Sequence, residues 1–215
     1  IWPKPGLIGF SIVPGFLVKS GSRRDDGEMV ERKASMEDVL AKYRKGLVIV
    51  LTGDGKGKTT AALGQALRAI GHGMNVFMVQ FMKGKKYGEV LAAEKYLPGL
   101  TIVRSGLDSF VMRGNPAPVD VELAQRGLDL AREALHSGKY QMVILDEVNV
   151  AVDFELVPLS HVLDLIREKP PERDLLLTGR YAPEEVIALA DTVSEVREIK
   201  HHSVSYTHLT LPTKR

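Results

Sequence analysis

The chain has 215 residues, 44% hydrophobic and 26% charged, which is enough apolar material for one full core. Its net charge of +2 compels neither a nucleic-acid nor a membrane partner, and no stretch reaches the ~20 apolar residues of a transmembrane helix. Without cysteine there are no disulfides, thiolate zinc sites or cysteine-held iron–sulfur clusters, and the cytoplasm is the expected compartment.

Residues 1–28 begin Ile-Trp-Pro-Lys-Pro-Gly, and Gly9, Pro14 and Gly15 break their apolar patch. That is a poor match to a signal peptide, so the segment reads as a disordered or non-native leader ahead of Met29 or Met36. Residues 29–45 carry a narrow apolar stripe (Met36, Val39, Leu40, Tyr43) that predicts an N-terminal helix. The body of the chain, 46–202, then alternates. Apolar runs predict strands at 47–51, 76–81, 101–103, 142–145, 175–178 and 193–199. Helical patterns fall between them at 58–70, 89–97, 119–135, 159–167 and 183–190. Continuous apolar strands alternating with helices predict a mostly parallel sheet with helices on both faces. Such sheets bind ligands at the carboxyl ends of their strands. Residues 203–215 break the pattern, resemble translated cloning sequence, and read as a non-native tail.

The most informative strand end is the first. Leu47–Leu51 runs into Thr52-Gly53-Asp54-Gly55-Lys56-Gly57-Lys58-Thr59-Thr60 and then an alanine-rich helix. A glycine-rich turn between a buried strand and a helix N-terminus points successive backbone N–H groups at one anion. Gly53, Asp54, Gly55, Lys56, Gly57, Lys58, Thr59 and Thr60 are therefore the candidate nucleotide cradle. Lys58 would reach the β- and γ-phosphates, and the Thr59 hydroxyl would hold Mg²⁺. The motif is a variant, with Thr52 where the first glycine normally stands. Together with the alternation it predicts a single-domain α/β fold of the P-loop NTPase-like (RecA-like) kind.

Two further strand ends carry chemistry. Met142–Leu145 delivers Asp146 and Glu147, acids suited to hold Mg²⁺ beside a phosphate loop. Neighbours on a strand point opposite ways, so the two need not share a role. Leu175–Thr178 delivers Gly179-Arg180, whose guanidinium is placed to clamp a phosphate or a carboxylate. The loop after the second strand, Gln80–Glu89, holds Lys83, Lys85 and Lys86, which suit either solvent or an anion.

Taken together, TGDGKGKTT (52–60), GHG (71–73), VQFMKG (79–84), GE (88–89), ILDEVN (144–149), LTGR (177–180), APEE (182–185), ADTVSE (190–195) and KH (200–201) resemble the phosphate-loop ATP:corrinoid adenosyltransferases. These are the cob(I)yrinic acid a,c-diamide adenosyltransferase family, and the resemblance covers about 46–201. It implies that ATP lies reversed in the loop with its ribose C5′ exposed. The Co(I) centre of a reduced corrinoid then attacks C5′ and expels triphosphate. It further implies that Lys58 neutralises the triphosphate, that Thr59, Glu147 and Asp146 hold Mg²⁺, and that Arg180 lies at the nucleotide–corrinoid junction. A homodimer and an electron donor that reduces Co(II) to Co(I) are also implied. The family displaces the corrinoid's lower axial ligand with a Phe-x-Trp pair. Here the stretch is Phe110-Val111-Met112, which keeps the phenylalanine and lacks the tryptophan.

Two other classes fit the nucleotide motif alone. A small kinase or ATPase of the same fold would use Asp146 or Glu147 on an acceptor or water, and would release ADP or phosphate. A nucleotide-switched binding module would bind ATP without turnover, using residues 29–45 as its partner surface. His201, His202 and His208 lack partners at ligand spacing and are not metal ligands, and His72 reads as helix-end packing.

Overall fold

The computed structural model describes residues 21–23, 29–31, 45–107 and 111–200. They fall into two units, one within 1–44 and one within 45–215.

In the first unit Gly21–Arg23 (β1) pairs antiparallel with Met29–Glu31 (β2), in the register Gly21↔Glu31 and Arg23↔Met29. Extended backbone thus replaces the expected helix at Met29–Glu31. The apolar stripe behind that expectation begins only at Met36, and it lies among residues 32–44, outside the described residues.

The second unit begins with strand Val48–Thr52 (β3), helix Lys58–Gly71 (α1), strand Val76–Phe81 (β4), helix Gly88–Tyr96 (α2) and strand Leu100–Ser105 (β5). Helix Pro118–His136 (α3), strand Met142–Asp146 (β6) and helices Val148–Asp153 (α4) and Leu159–Glu168 (α5) follow. Strand Asp174–Thr178 (β7), helix Glu184–Leu189 (α6) and strand Thr192–Glu195 (β8) complete it. The strands form one six-stranded sheet in the order β5-β4-β6-β7-β3-β8, with every pairing parallel. This is the expected α/β architecture of the P-loop NTPase-like kind.

Burial explains the continuous apolar runs. All residues of β4, β6 and β7 are buried, because helices cover both faces of the sheet. Alternate side chains divide between two cores, as the two-residue period of a strand requires. Val50, Val79, Phe81, Leu145 and Leu177 pack with α3 and α5 residues such as Leu128, Ala131, Val162 and Leu165. Leu51, Met78, Ile144 and Leu176 pack with Ala62, Ala66 and Ala69 of α1 and Ala93 of α2. Small alanines let α1 lie close against the strands that carry the site.

Two elements differ from expectation. Strand β8 ends at Glu195 rather than Ile199, which is 97% exposed. Past β8 the chain leaves the sheet for the glycine loop: Val196 N–H donates to Thr52 O (2.8 Å), and Val196 O accepts from Gly55 N–H (2.8 Å). The six-residue helix α4, entered through Glu147 in the left-handed region (φ 65°), has no counterpart in the sequence reading. Six residues are too few to display helical periodicity.

Candidate active site at the carboxyl edge of the sheet

Strands β3, β6 and β7 end side by side, and every candidate described in that region lies on or just past them. The turn Gly53–Gly57 enters α1 through Gly57 at φ 119°, a backbone conformation that L side chains rarely adopt. α1 has no side-chain N-cap and no acid in its first turn, so its leading amides and positive dipole end remain available to an anion. Gly55 answers a different demand. A Cβ there would lie 2.7 Å from the Arg197 carbonyl, because the segment after β8 braces the loop from behind.

Lys58, only 6% exposed, curls over this turn and donates to Gly53 O (2.6 Å) and Gly55 O (2.8 Å). Burial lowers its pKa below the usual lysine value, against the opposing pull of Glu147, Asp54 and Asp146. Thr52, at the position of the missing glycine, makes a side-chain contact that a glycine could not. Its hydroxyl accepts from Ala182 N–H (3.3 Å) and ties the loop to the segment that carries Arg180. Arg180 donates to Asp54 O (3.2 Å) and lies 3.9 Å from the Asp54 carboxylate, so it borders the loop. Lys56 and Thr60 face solvent.

Asp146, fully buried, is the hub. Its Oδ1 accepts from the hydroxyls of Thr59 (2.8 Å) and Thr178 (2.8 Å). Its Oδ2 accepts from Lys83 Nζ (2.7 Å) and Gln80 Nε2 (3.3 Å). Thr178 Oγ1 also accepts from Glu147 N–H (2.9 Å), which fixes the turn where β6 becomes α4. Burial and the adjacent Asp146 raise the pKa of Glu147, with Lys83, Lys58 and Arg180 opposing. Thr59, Asp146 and Glu147 are hard oxygen donors at one place, which suits Mg²⁺. Among the described residues no cluster of three or more His, Cys, Asp or Glu side chains could hold a metal.

Sequence reasoning misses Thr178 and Gln80, and it leaves Lys83 open between solvent and an anion, which the structure resolves as a contact to the Asp146 carboxylate. A signal existed for the first two: Thr178 ends the apolar run Leu175–Leu177 at the carboxyl end of its strand, and Gln80 is the lone polar residue of VFMVQF. Of the lysine loop, Lys83 turns inward, whereas Lys85 and Lys86 are exposed and Lys86 pairs with Glu94 (2.6 Å). Phe110 lies outside the described residues. Beyond it, Val111 packs against the core and Met112 is 70% exposed. Arg113 pairs with Asp153 (2.6 Å) and lies over the Tyr181 ring at 5.8 Å, so this loop meets the Arg180 segment.

A parallel sheet with this glycine loop, Lys58 curled over it and an acid at the end of β6 defines a phosphate-loop nucleotide-binding domain. A family model described as ATP:corrinoid adenosyltransferase BtuR/CobO/CobP matches residues 44–208. The chain is 36% identical over 178 residues to a corrinoid adenosyltransferase of Sinorhizobium sp., covering 81% of this chain and 83% of that protein. It is 35% identical over 175 residues to a corrinoid adenosyltransferase of Escherichia coli (strain K12), covering 81% and 88%. It is 36% identical over 175 residues to the corrinoid adenosyltransferase CobA of Salmonella typhimurium, with the same coverage. The chain belongs to the ATP:corrinoid adenosyltransferase family, whose reaction is adenosyl transfer from ATP to a corrinoid.

Proposed function

We propose that this chain carries the 5′-deoxyadenosyl group of ATP to the Co(I) centre of a corrinoid, cobalamin or cobyrinic acid a,c-diamide, with release of triphosphate. The observation that carries the reading is the junction of the glycine loop, Lys58 and the Asp146 hub within a chain of this family. The electron pair of Co(I) forms the bond to C5′, and the C5′–O pair leaves with the triphosphate. Co(I) is a strong nucleophile, so the protein supplies no base. Its tasks are to orient ATP and to stabilise the charge that gathers on the leaving group.

The loop amides and the α1 N-terminus take the triphosphate, whose anionic oxygens replace the Gly53 and Gly55 carbonyls as partners of Lys58. Thr59, Glu147 and Asp146 are the residues that would hold Mg²⁺, which supplies further neutralisation of the triphosphate. Arg180, anchored on Asp54 at the loop's edge, borders the nucleotide–corrinoid junction. Phe110 is the residue proposed to press on the corrinoid face, with Met112 offering less surface than an indole. A homodimer and a separate electron donor belong to this reading through the family resemblance, and a cytoplasmic setting is its default. No helix among the described residues is long and apolar enough to cross a membrane.

The test is optical and anaerobic. With Mg·ATP and chemically reduced cobalamin the protein should form a light-sensitive adenosyl product and one triphosphate per turnover. Lys58→Ala should slow this by about 10²–10³-fold, the cost of losing one preorganised charge contact. ADP or phosphate as the product would overturn the reading in favour of a kinase or ATPase. Tight ATP binding without product would favour a nucleotide switch.

A further inference from the structure

Lys83 has no part in the chemistry described so far, yet its loop is built to aim it. Met82 adopts a left-handed conformation (φ 56°) and turns the chain back over the end of the sheet immediately after β4. Three contacts hold that turn. Met82 N–H donates to Ser105 O (3.0 Å), Arg104 donates to Gly84 O, and Gly106 lies so close to the Met82–Lys83 backbone that a Cβ there would sit 2.7 Å away. A solvated lysine loop requires none of this.

The ammonium so positioned is 2.7 Å from Asp146 Oδ2 and 4.0 Å from Glu89 Oε1. Gln80 spans the same two carboxylates, donating to Glu89 (3.1 Å) and Asp146 (3.3 Å). Its own Oε1 is buried without a hydrogen-bond partner, so a donor moving between the acids would find an acceptor there. Glu89 and Lys83 also line a cavity of about 280 Å³ with Thr59, Thr60, Leu63 and Tyr87, which leaves room for the side chain to shift.

We propose that Lys83 is a positioning residue that serves as the resident counter-cation of Asp146, withdrawing toward Glu89 when a nucleotide-borne divalent cation arrives. A buried carboxylate requires a compensating positive charge. Lys83 supplies it before the nucleotide binds, keeps Asp146 aimed at Thr59, and competes with any free divalent cation. Loading of the metal position thereby depends on the nucleotide. This rests on the assignment of a divalent cation to Thr59 and Asp146.

The test uses Mn²⁺ as the probe, read by electron paramagnetic resonance on the full chain with and without ATP. Wild type should bind Mn²⁺ tightly only with ATP. Lys83→Met, with its fold checked by circular dichroism, should raise the affinity for Mn²⁺ without nucleotide by about tenfold or more, the scale on which neighbours of a metal position act. Lys83→Arg should return it to the wild-type level. Lys83→Gln carries the same expectation as the methionine variant and replaces it if that variant does not fold. An unchanged nucleotide-free Mn²⁺ affinity in the uncharged variants, with wild type still binding Mn²⁺·ATP, would overturn the role of Lys83 alone. Absence of Mn²⁺ binding to wild type even with ATP would overturn the cation assignment and the lysine proposal with it.

Discussion

Glu147 shows how one residue trades stability for chemistry. Burial, reinforced by the neighbouring Asp146, raises its pKa above the ordinary 4.5, so the folded protein holds the proton more firmly than the unfolded chain does. The stability gained from the protonated form is full below that ordinary value. It is lost as the pH rises through the raised one, leaving the ionised group a burden at neutral pH. Glu147→Gln should therefore raise the thermal midpoint of the nucleotide-free protein at pH 7.5 relative to wild type. The gain should shrink as the pH falls toward 4.5, which scanning calorimetry across that range would register. If Glu147 holds Mg²⁺ as proposed, adenosyl transfer should fall by about a hundredfold in the same variant, because the cation that offsets the triphosphate charge would lose an anionic ligand. The doublet Asp146-Glu147 was legible as a candidate metal pair. That the two sit in different surroundings was legible only as the rule that strand neighbours diverge. The four donors on Asp146 and the left-handed turn at Glu147 belong to the folded chain.

At the scale of elements, the decisive placement is that of β7 between β3 and β6. It brings Thr178 within reach of Asp146, with its hydroxyl donating to the carboxylate and accepting from Glu147 N–H. Thr178→Val keeps the shape and removes both bonds, leaving a half-buried amide and a buried carboxylate lone pair without these partners. The expected cost is about 1–3 kcal/mol in urea denaturation, with ATP affinity and transfer rate declining together. Serine in place of valine should recover most of both. The run 175–178 revealed the strand and the Arg180 just past its end, but its neighbours in the sheet could not be read from it. A parallel sheet joins its strands through long crossovers, and several orders satisfy the same alternation. The short edge strand β8 shows a related limit: its exposed residues and its detour to Gly55 are set by what the loop needs, not by the apolar pattern of 193–199.

At the scale of the whole molecule, the loop, the Asp146 hub and the brace after β8 join ends of strands that are far apart in the sequence. A ligand held by all of them should stabilise the entire sheet. Mg·ATP at about a hundredfold above its dissociation constant should add about 2.7 kcal/mol to unfolding, if it binds only the folded chain. A thermal shift measured against ATP concentration checks this, and Lys58→Ala should reduce the shift at equal ATP.

The sequence by itself determined the alternation of strands and helices, the phosphate loop with its lysine and threonine, and the acid doublet and arginine at strand ends. All of these are written in short windows, where the period of the backbone and the order of residue types carry the information. Only the tertiary structure decided which strand ends meet. Thr59, Lys83 and Thr178 reach Asp146 across 87, 63 and 32 residues of chain. Strand order and the turn at Met82 produce those contacts, and both depend on non-local packing that no local window records.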